Sequence, residues 1–137
     1  MSGKFSMYID GASRGNPGPA GIGVVIFDGR KKKVKEVYKY IGETTNNVAE
    51  YNALIAGLEE MANLSASEVT INMDSELVAR QLSGEYKVKD AVMRSLFERA
   101  VSILKTFKSF EVKHIERAKN KDADKLANKA INLSSLF

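Results

Sequence analysis

The chain has 137 residues, 44% hydrophobic and 28% charged, with a formal charge of +4 and no cysteine. That length suits a single domain, residues 1–137, with a real hydrophobic core, and the lack of cysteine excludes disulfides and thiolate metal sites. No run approaches the roughly 20 apolar residues of a membrane span, and MSGKFSMYID has no apolar segment before a cleavage site, so a cytoplasmic protein off the membrane is expected, its mild basic excess compatible with a nucleic-acid partner.

Residues 4–10 (KFSMYID) alternate, with Phe5, Met7 and Ile9 opposite Lys4, Ser6 and Tyr8, which is strand periodicity. The stretch GASRGNPGPAG follows, rich in glycine and holding both prolines of the chain, and reads as an irregular loop. Residues 20–27 (AGIGVVIF) form a buried strand, DGRKKK a turn, and residues 33–42 a third strand with Val34 and Tyr38 spaced for one face. Residues 46–63 change to helical period, with Val48, Tyr51, Ile55, Leu58 and Ala62 as an apolar stripe. Residues 68–73 (EVTINM) return to a strand, and 75–83 read as a short helix. Residues 90–107 form a longer helix with Met93, Leu96, Phe97, Ala100, Ile103, Leu104 and Phe107 on one face. Residues 109–115 (SFEVKHI) are the last strand. Residues 121–133 close the chain as a helix buried along Ala123, Leu126, Ala127 and Ala130, with Asn120 set to cap it.

The order is thus βββ-α-β-α-α-β-α. Short connections make the first three strands an antiparallel meander, and helical crossovers make the fourth and fifth run parallel to a neighbour. The expected fold is α/β: a five-stranded mixed sheet, three antiparallel strands then two parallel, flanked by helices.

Four acids stand where buried or half-buried acids are not expected. Asp10 ends the first strand, Asp74 ends the fourth, Glu50 precedes Tyr51 of the first helical stripe, and Asp124 lies between Ala123 and Leu126. Each alone suits a turn, a cap or a helix dipole. Together they read differently. If the first and fourth strands are parallel neighbours, Asp10 and Asp74 share one sheet edge, where α/β proteins tend to keep their sites. Clustered carboxylates repel and need cations. Oxygen donors with no cysteine and one histidine suit Mg²⁺ or Mn²⁺ rather than zinc. Two such ions can promote hydrolysis of a phosphodiester.

YIDGASRGNPGPAGIG resembles the opening motif of type 1 ribonuclease H. TTNNVAEYNALIAGL is similar to the start of that family's first helix, INMDSELVARQL to its Asp-Ser strand end, and ERAKNKDADKLANKA to its closing segment. The motifs keep the family's order over nearly the whole chain, and the pattern is closest to the short forms of archaea and some bacteria. The resemblance implies a ribonuclease-H-like fold. It also implies metal-dependent endonucleolytic hydrolysis of the RNA strand of RNA–DNA hybrids by two ions, leaving 5′-phosphate and 3′-hydroxyl ends. Asp10, Glu50, Asp74 and Asp124 would be the catalytic metal ligands, with Asp122 the alternative for the last. Gly11, Ala12, Ser13, Arg14, Gly15 and Asn16 would approach the RNA strand, Asn46 and Asn47 the duplex near the scissile phosphate, and Arg117 the phosphate charge. An asparagine amide both donates and accepts, so it can read a ribose 2′-OH.

Three departures from the family accompany this. GEYKVKDAVMRSL is short and lacks tryptophan, leaving Lys87, Lys89 and Arg94 where longer members carry a basic insertion. The loop after the last strand is shortened, and His114 before it reads as a strand residue. Glu76 stands where several members have glutamine, close to Asp74. Lys121, Lys125 and Lys129 share one helix face and either follow phosphates or solubilise the helix. A monomer is expected. Double-stranded RNA stays open as a second substrate, and a catalytically inactive module that only holds nucleic acid stays open as the alternative.

Overall fold

The computed structural model describes residues 3–136. Alternation at Met7, Tyr8 and Ile9 builds strand β1 (Lys4–Ser13), which pairs antiparallel with β2 (Gly18–Asp28). Strand β3 (Lys33–Thr44) pairs antiparallel with β2. Thr45 then caps helix α1 (Asn46–Asn63), its side chain accepting from the Val48 amide at 3.3 Å. Strand β4 (Glu68–Met73) runs parallel to β1, and β5 (Ser109–His114) runs parallel to β4. Between them lie α2 (Glu76–Leu82), capped by Ser75, and α3 (Ala91–Leu104), capped by Asp90. A short 3₁₀ turn (Arg117–Lys119) leads into α4 (Lys121–Ser134). The sheet order β3-β2-β1-β4-β5 is the expected mixed sheet, with three antiparallel strands followed by two parallel ones. No helix among the described residues is long and apolar enough to cross a membrane.

The period of two sorts the sheet's side chains. Met7 and Ile9 of β1, Ile22, Val24 and Ile26 of β2, and Val69, Ile71 and Met73 of β4 face α1 and form the main core with Tyr51, Leu54, Leu58 and Met61. Burying each such aliphatic side chain contributes about 1.5–3 kcal/mol. Helix α1 is more buried than a single stripe implies, because α3 packs across it while the sheet lies beneath. Ala49, Ala53, Leu54, Gly57 and Met61 are therefore buried too, whereas Ala62 is exposed. Helix α4 covers the other face over β2, with Ala123, Leu126, Ala127 and Ala130 buried as expected. Val34 falls in a β-bulge of β3 opposite Ile26 and Phe27, so alternation does not carry it onto the face of Tyr38; both are exposed, and the Lys129 ammonium lies 4.6 Å from the Tyr38 ring centre.

Two further readings of the sequence are corrected. The glycine-rich stretch is not an irregular loop throughout: β1 continues to Ser13 and β2 begins at Gly18, leaving only residues 14–17 as the connection. Asp10 consequently lies inside β1, not at its end. The glycines serve close approach more than turning. A Cβ on Gly11 would fall inside the Ala49–Glu50 peptide of α1, and one on Gly23 against the Ala123 carbonyl of α4. Asn120 does not cap α4. Its side chain makes no capping bond and is buried instead, its Nδ2 donating to the Ile9 carbonyl at 2.8 Å, so it ties the entrance of α4 to β1. The remaining bounds shift by up to three residues, chiefly α3, which stops at Leu104 while Phe107 still packs into the core from the turn beyond.

Candidate active site

The site forms where two parallel strands part. The last paired residues of β1 and β4 are Tyr8 and Asn72. Two residues further along each chain stand Asp10 and Asp74, so the register sets them level. Asp10 stays in β1 because β2 continues to pair with it through Gly23. The chain after Met73 turns away, with Ser75 opening α2.

The close approach allowed by Gly11 brings α1 onto β1 and delivers the third acid. The Gly11 amide donates to Glu50 Oε1 at 3.0 Å. Oxygens of Asp10, Glu50 and Asp74 lie within 4.8 Å of one another. Asp10 and Glu50 are each only 6% exposed. Burial first, and then the neighbouring Glu50 and Asp74 carboxylates, push Asp10 up to about 10. Burial pushes Glu50 up to about 7, opposed by the Gly11 amide, which favours the ionised form. Burial and mutual repulsion thus both favour a cluster neutralised by a proton or by a cation.

Glu50 Oε2 is buried and, among the described residues, has no hydrogen-bond partner. An orphaned carboxylate oxygen costs about 1–3 kcal/mol or more. A divalent cation would satisfy it, and an all-oxygen donor set is the one that Mg²⁺ or Mn²⁺ prefers. The residues present therefore fit a divalent metal.

Asp124 lies in the first turn of α4. It is outside the tight trio but within hydrogen-bonding reach of Asp10. Arg117 Nη2 stands 4.0 Å from Asp124 Oδ1, with the Arg117 side chain 84% exposed. Asp122, two residues away and so on another side of the helix, lines a separate groove with Tyr8 and Phe27.

One wall of the acid pocket is polar. Asn46 opens α1 and uses its Oδ1 to accept the Ser13 amide at 2.8 Å, while its own amide donates to Asn16 Oδ1 at 3.1 Å. Both side-chain oxygens are thereby engaged within the protein; Asn46 lines the pocket, whereas Asn16 lies in the connection outside its lining. Gly11, Ala12, Ser13, Arg14, Asn46 and Asn47 line the pocket with the acids. Gly15 sits beside it in the connection at φ +117°, a conformation that favours glycine. Glu76 is elsewhere: it is exposed and bonded to Arg80 at 3.1–3.2 Å. His114, at the end of β5, lines a third groove together with Glu76, away from the acids. Two further pocket residues, Ser75 and Asn128, carried no separate signal in the sequence beyond their positions. Asn128 could have been found from its i+4 spacing to Asp124 on a helix.

The chain matches the family model described as reverse transcriptase-like over residues 8–130. It is 43% identical over 130 residues to a ribonuclease HI of Halobacterium salinarum, an alignment covering 95% of this chain and 65% of that one. It is 32% identical to a ribonuclease H of Pseudomonas putida, covering 96% of each. A bifunctional protein of Mycobacterium tuberculosis is 43% identical over 133 residues, of which this chain spans only 36% of the length. Among solved structures, a ribonuclease H1 of Halobacterium salinarum superposes with a TM-score of 0.92 at 43% identity, over 94% of this chain and 98% of that one. LC11-RNase H1, solved in complex with an RNA/DNA hybrid, superposes with a TM-score of 0.90 at 45% identity, over 95% and 98% of the two chains.

Proposed function

The chain belongs to the ribonuclease H family, and we propose that it hydrolyses the RNA strand of RNA–DNA hybrids with Mg²⁺ or Mn²⁺, leaving 5′-phosphate and 3′-hydroxyl ends. The observation that carries the reading is the trio of Asp10, Glu50 and Asp74 within 4.8 Å, in a pocket that Asn46 and Asn47 also line. A relative of the same fold that holds an RNA/DNA hybrid supports the choice of duplex.

In this reading Asp10, Glu50, Asp74 and Asp124 hold two divalent ions. When bound, such ions supply Lewis-acid activation of water and neutralise charge on the phosphate. The chain's own residues do the rest. Asp10, the most buried of the aspartates, would hold an ion from β1, and Glu50, kept in place by the Gly11 amide, would hold one from α1. Asn16 and Asn46 present amide hydrogens to acceptors on the RNA strand, where the 2′-OH separates RNA from DNA. Gly15, in the connection at φ +117°, lets the main chain take the bend that brings residues 13–16 beside the pocket, while the space at Gly11 is taken by α1. Arg14 and Arg117 bring positive charge to phosphates. The protein's contribution is mainly positioning. Monomeric action in the cytoplasm is part of the proposal, with double-stranded RNA as a second substrate to be ranked.

The test is cleavage of end-labelled RNA in a hybrid, in double-stranded RNA and alone, with Mg²⁺, Mn²⁺ or EDTA, beside Asp10→Asn. Metal-dependent cutting of the hybrid that disappears in the variant is expected. Binding of hybrid without cutting by either metal would replace the enzyme with a holding module.

A further inference from the structure

Asp124 is the acid that reaches the site from a helix on the other face of the sheet. Asp10 and Glu50 are fixed by the buried strand and by the Gly11 amide, and with Asp74 they already stand within 4.8 Å of one another. Asp124 belongs to a different layer, on α4, and lies outside that trio. Its charged neighbour Arg117 is 84% exposed and 4.0 Å away, too long for a hydrogen bond and too solvated to fix an orientation.

The close partner is Asn128. It stands one helical turn beyond Asp124, on the same face. Its Nδ2 donates to the Asp124 carbonyl at 3.0 Å and to Asp124 Oδ1 at 3.3 Å. Its own Oδ1 accepts from Arg14 Nη2 at 3.2 Å, and Arg14 Nη2 also reaches the Asn128 carbonyl at 3.4 Å. Arg14 belongs to the connection between β1 and β2, 114 residues earlier in the chain. Asparagine is the residue type this junction needs: it accepts from a cation on one side and donates to an anion on the other. An aspartate there would place a second negative charge against Asp124, and an aliphatic residue would leave both partners loose.

We propose that Asn128 is a positioning residue, relaying Arg14 of the pocket's connecting loop to the carboxylate of Asp124 and holding that carboxylate in place for a divalent cation. This rests on the reading of Asp124 as a metal ligand. Groups that orient a ligand in this way commonly change metal affinity by about 10–100-fold when removed. Because the relay has two links, Arg14 and Asn128 act on Asp124 as one unit and their effects do not add.

The experiment is calorimetric titration of Mn²⁺ alone into the full chain, comparing the unaltered protein with Arg14→Ala, Asn128→Ala, Asn128→Leu and the Arg14→Ala/Asn128→Ala double variant. Melting in EDTA is followed in parallel. Asn128→Leu keeps the side-chain volume at this half-buried position and serves if the alanine variant folds poorly. Expected is a roughly tenfold loss of Mn²⁺ affinity in both Asn128 variants, a smaller loss in Arg14→Ala, and a double variant no worse than Asn128→Ala. Melting in EDTA stays close to that of the unaltered protein. In the Asn128 variants the Mn²⁺ concentration for half-maximal cleavage rises by the same factor, and kcat recovers at saturating Mn²⁺. Unchanged Mn²⁺ affinity in both Asn128 variants overturns the proposal, and so do additive losses in the double variant. Unaltered protein that binds Mn²⁺ but does not cut hybrid refutes the proposed activity while leaving the relay to be judged by the calorimetry.

Discussion

The acid cluster should make the metal-free protein less stable than it could be, and Asp10→Asn should reveal by how much. Oxygens of Asp10, Glu50 and Asp74 lie within 4.8 Å of one another. At an effective dielectric constant of about 20, two unit charges at that separation repel by about 3.5 kcal/mol. Taking up a proton relieves the repulsion, but only by binding a proton that the unfolded chain would have released. Asp10 is pushed from 3.8 up to about 10. Folded chain therefore binds more protons than unfolded chain across this window, and stability falls as pH rises through it, by up to about 1.4 kcal/mol per pH unit for one proton. Asparagine imitates the protonated acid without needing the proton. At pH 8 in EDTA the variant should gain at least about 3 kcal/mol, the repulsion alone, and up to about 6 kcal/mol by the linkage slope from the ordinary aspartate value to pH 8. In a domain of this size each kcal/mol moves Tm by about 3–5 °C, so it should melt at least roughly 10 °C higher. At pH 4, near the ordinary aspartate value, the two should melt together. Divalent metal should narrow the gap at pH 8, because a cation present at a hundred times its Kd stabilises the unaltered protein by about 2.7 kcal/mol. Calorimetric or circular-dichroism melts over pH 4–9, with EDTA and with Mg²⁺, make the comparison. A variant that melts at or below the unaltered protein in EDTA at pH 8 would refute this account of the cluster.

Gly11→Ala should cost about 1–3 kcal/mol or more in a urea melt, because the added Cβ meets the Ala49–Glu50 peptide, and activity should fall further than stability as Glu50 loses the Gly11 amide. Tyr51→Phe should cost about 1–3 kcal/mol, since the Tyr51 hydroxyl donates to buried Gln81 Oε1 at 2.6 Å and its removal leaves that oxygen unpaired. Asn46→Asp keeps the oxygen that accepts the Ser13 amide but loses the side-chain amide donor, so folding should be retained while hybrid binding measured in Ca²⁺ weakens about 10–100-fold; unchanged binding would show that this amide does not contact the hybrid.

The parts of the fold that follow periodicity were readable before any coordinates. Met7 and Ile9 alternate with Tyr8, the stripe of α4 recurs at Ala123, Leu126, Ala127 and Ala130, and both sets are where the pattern puts them. What misled was glycine. Gly11 looks like a turn former in a linear reading, yet it lies within a strand, beneath a helix backbone that no side chain would permit so close, as do Gly21 and Gly23 of the expected second strand. Composition cannot distinguish a glycine that bends the chain from one that admits a neighbour, because the neighbour is remote in sequence. Asn120 failed for the same reason. It has the identity and position of an N-cap, but a carbonyl 111 residues away claims its amide.

The acids show the same division. Asp10 and Asp74 were legible as a pair because parallel pairing of β1 and β4 has only to hold through Tyr8 and Asn72 for both to reach the same level. A slip of one residue in β4 would turn its core face, Val69, Ile71 and Met73, toward the opposite side of the sheet. The hydrophobic core thereby fixes the register, and the register fixes the spacing of two acids that never pair with each other. Glu50 arrives by a different constraint, the depth to which α1 can settle on Gly11, and Asp124 by a third, the seating of α4 over Gly23. The site is assembled from three packing contacts rather than one local motif. A substitution that disturbs any of these contacts should therefore affect metal binding even where every acid is kept.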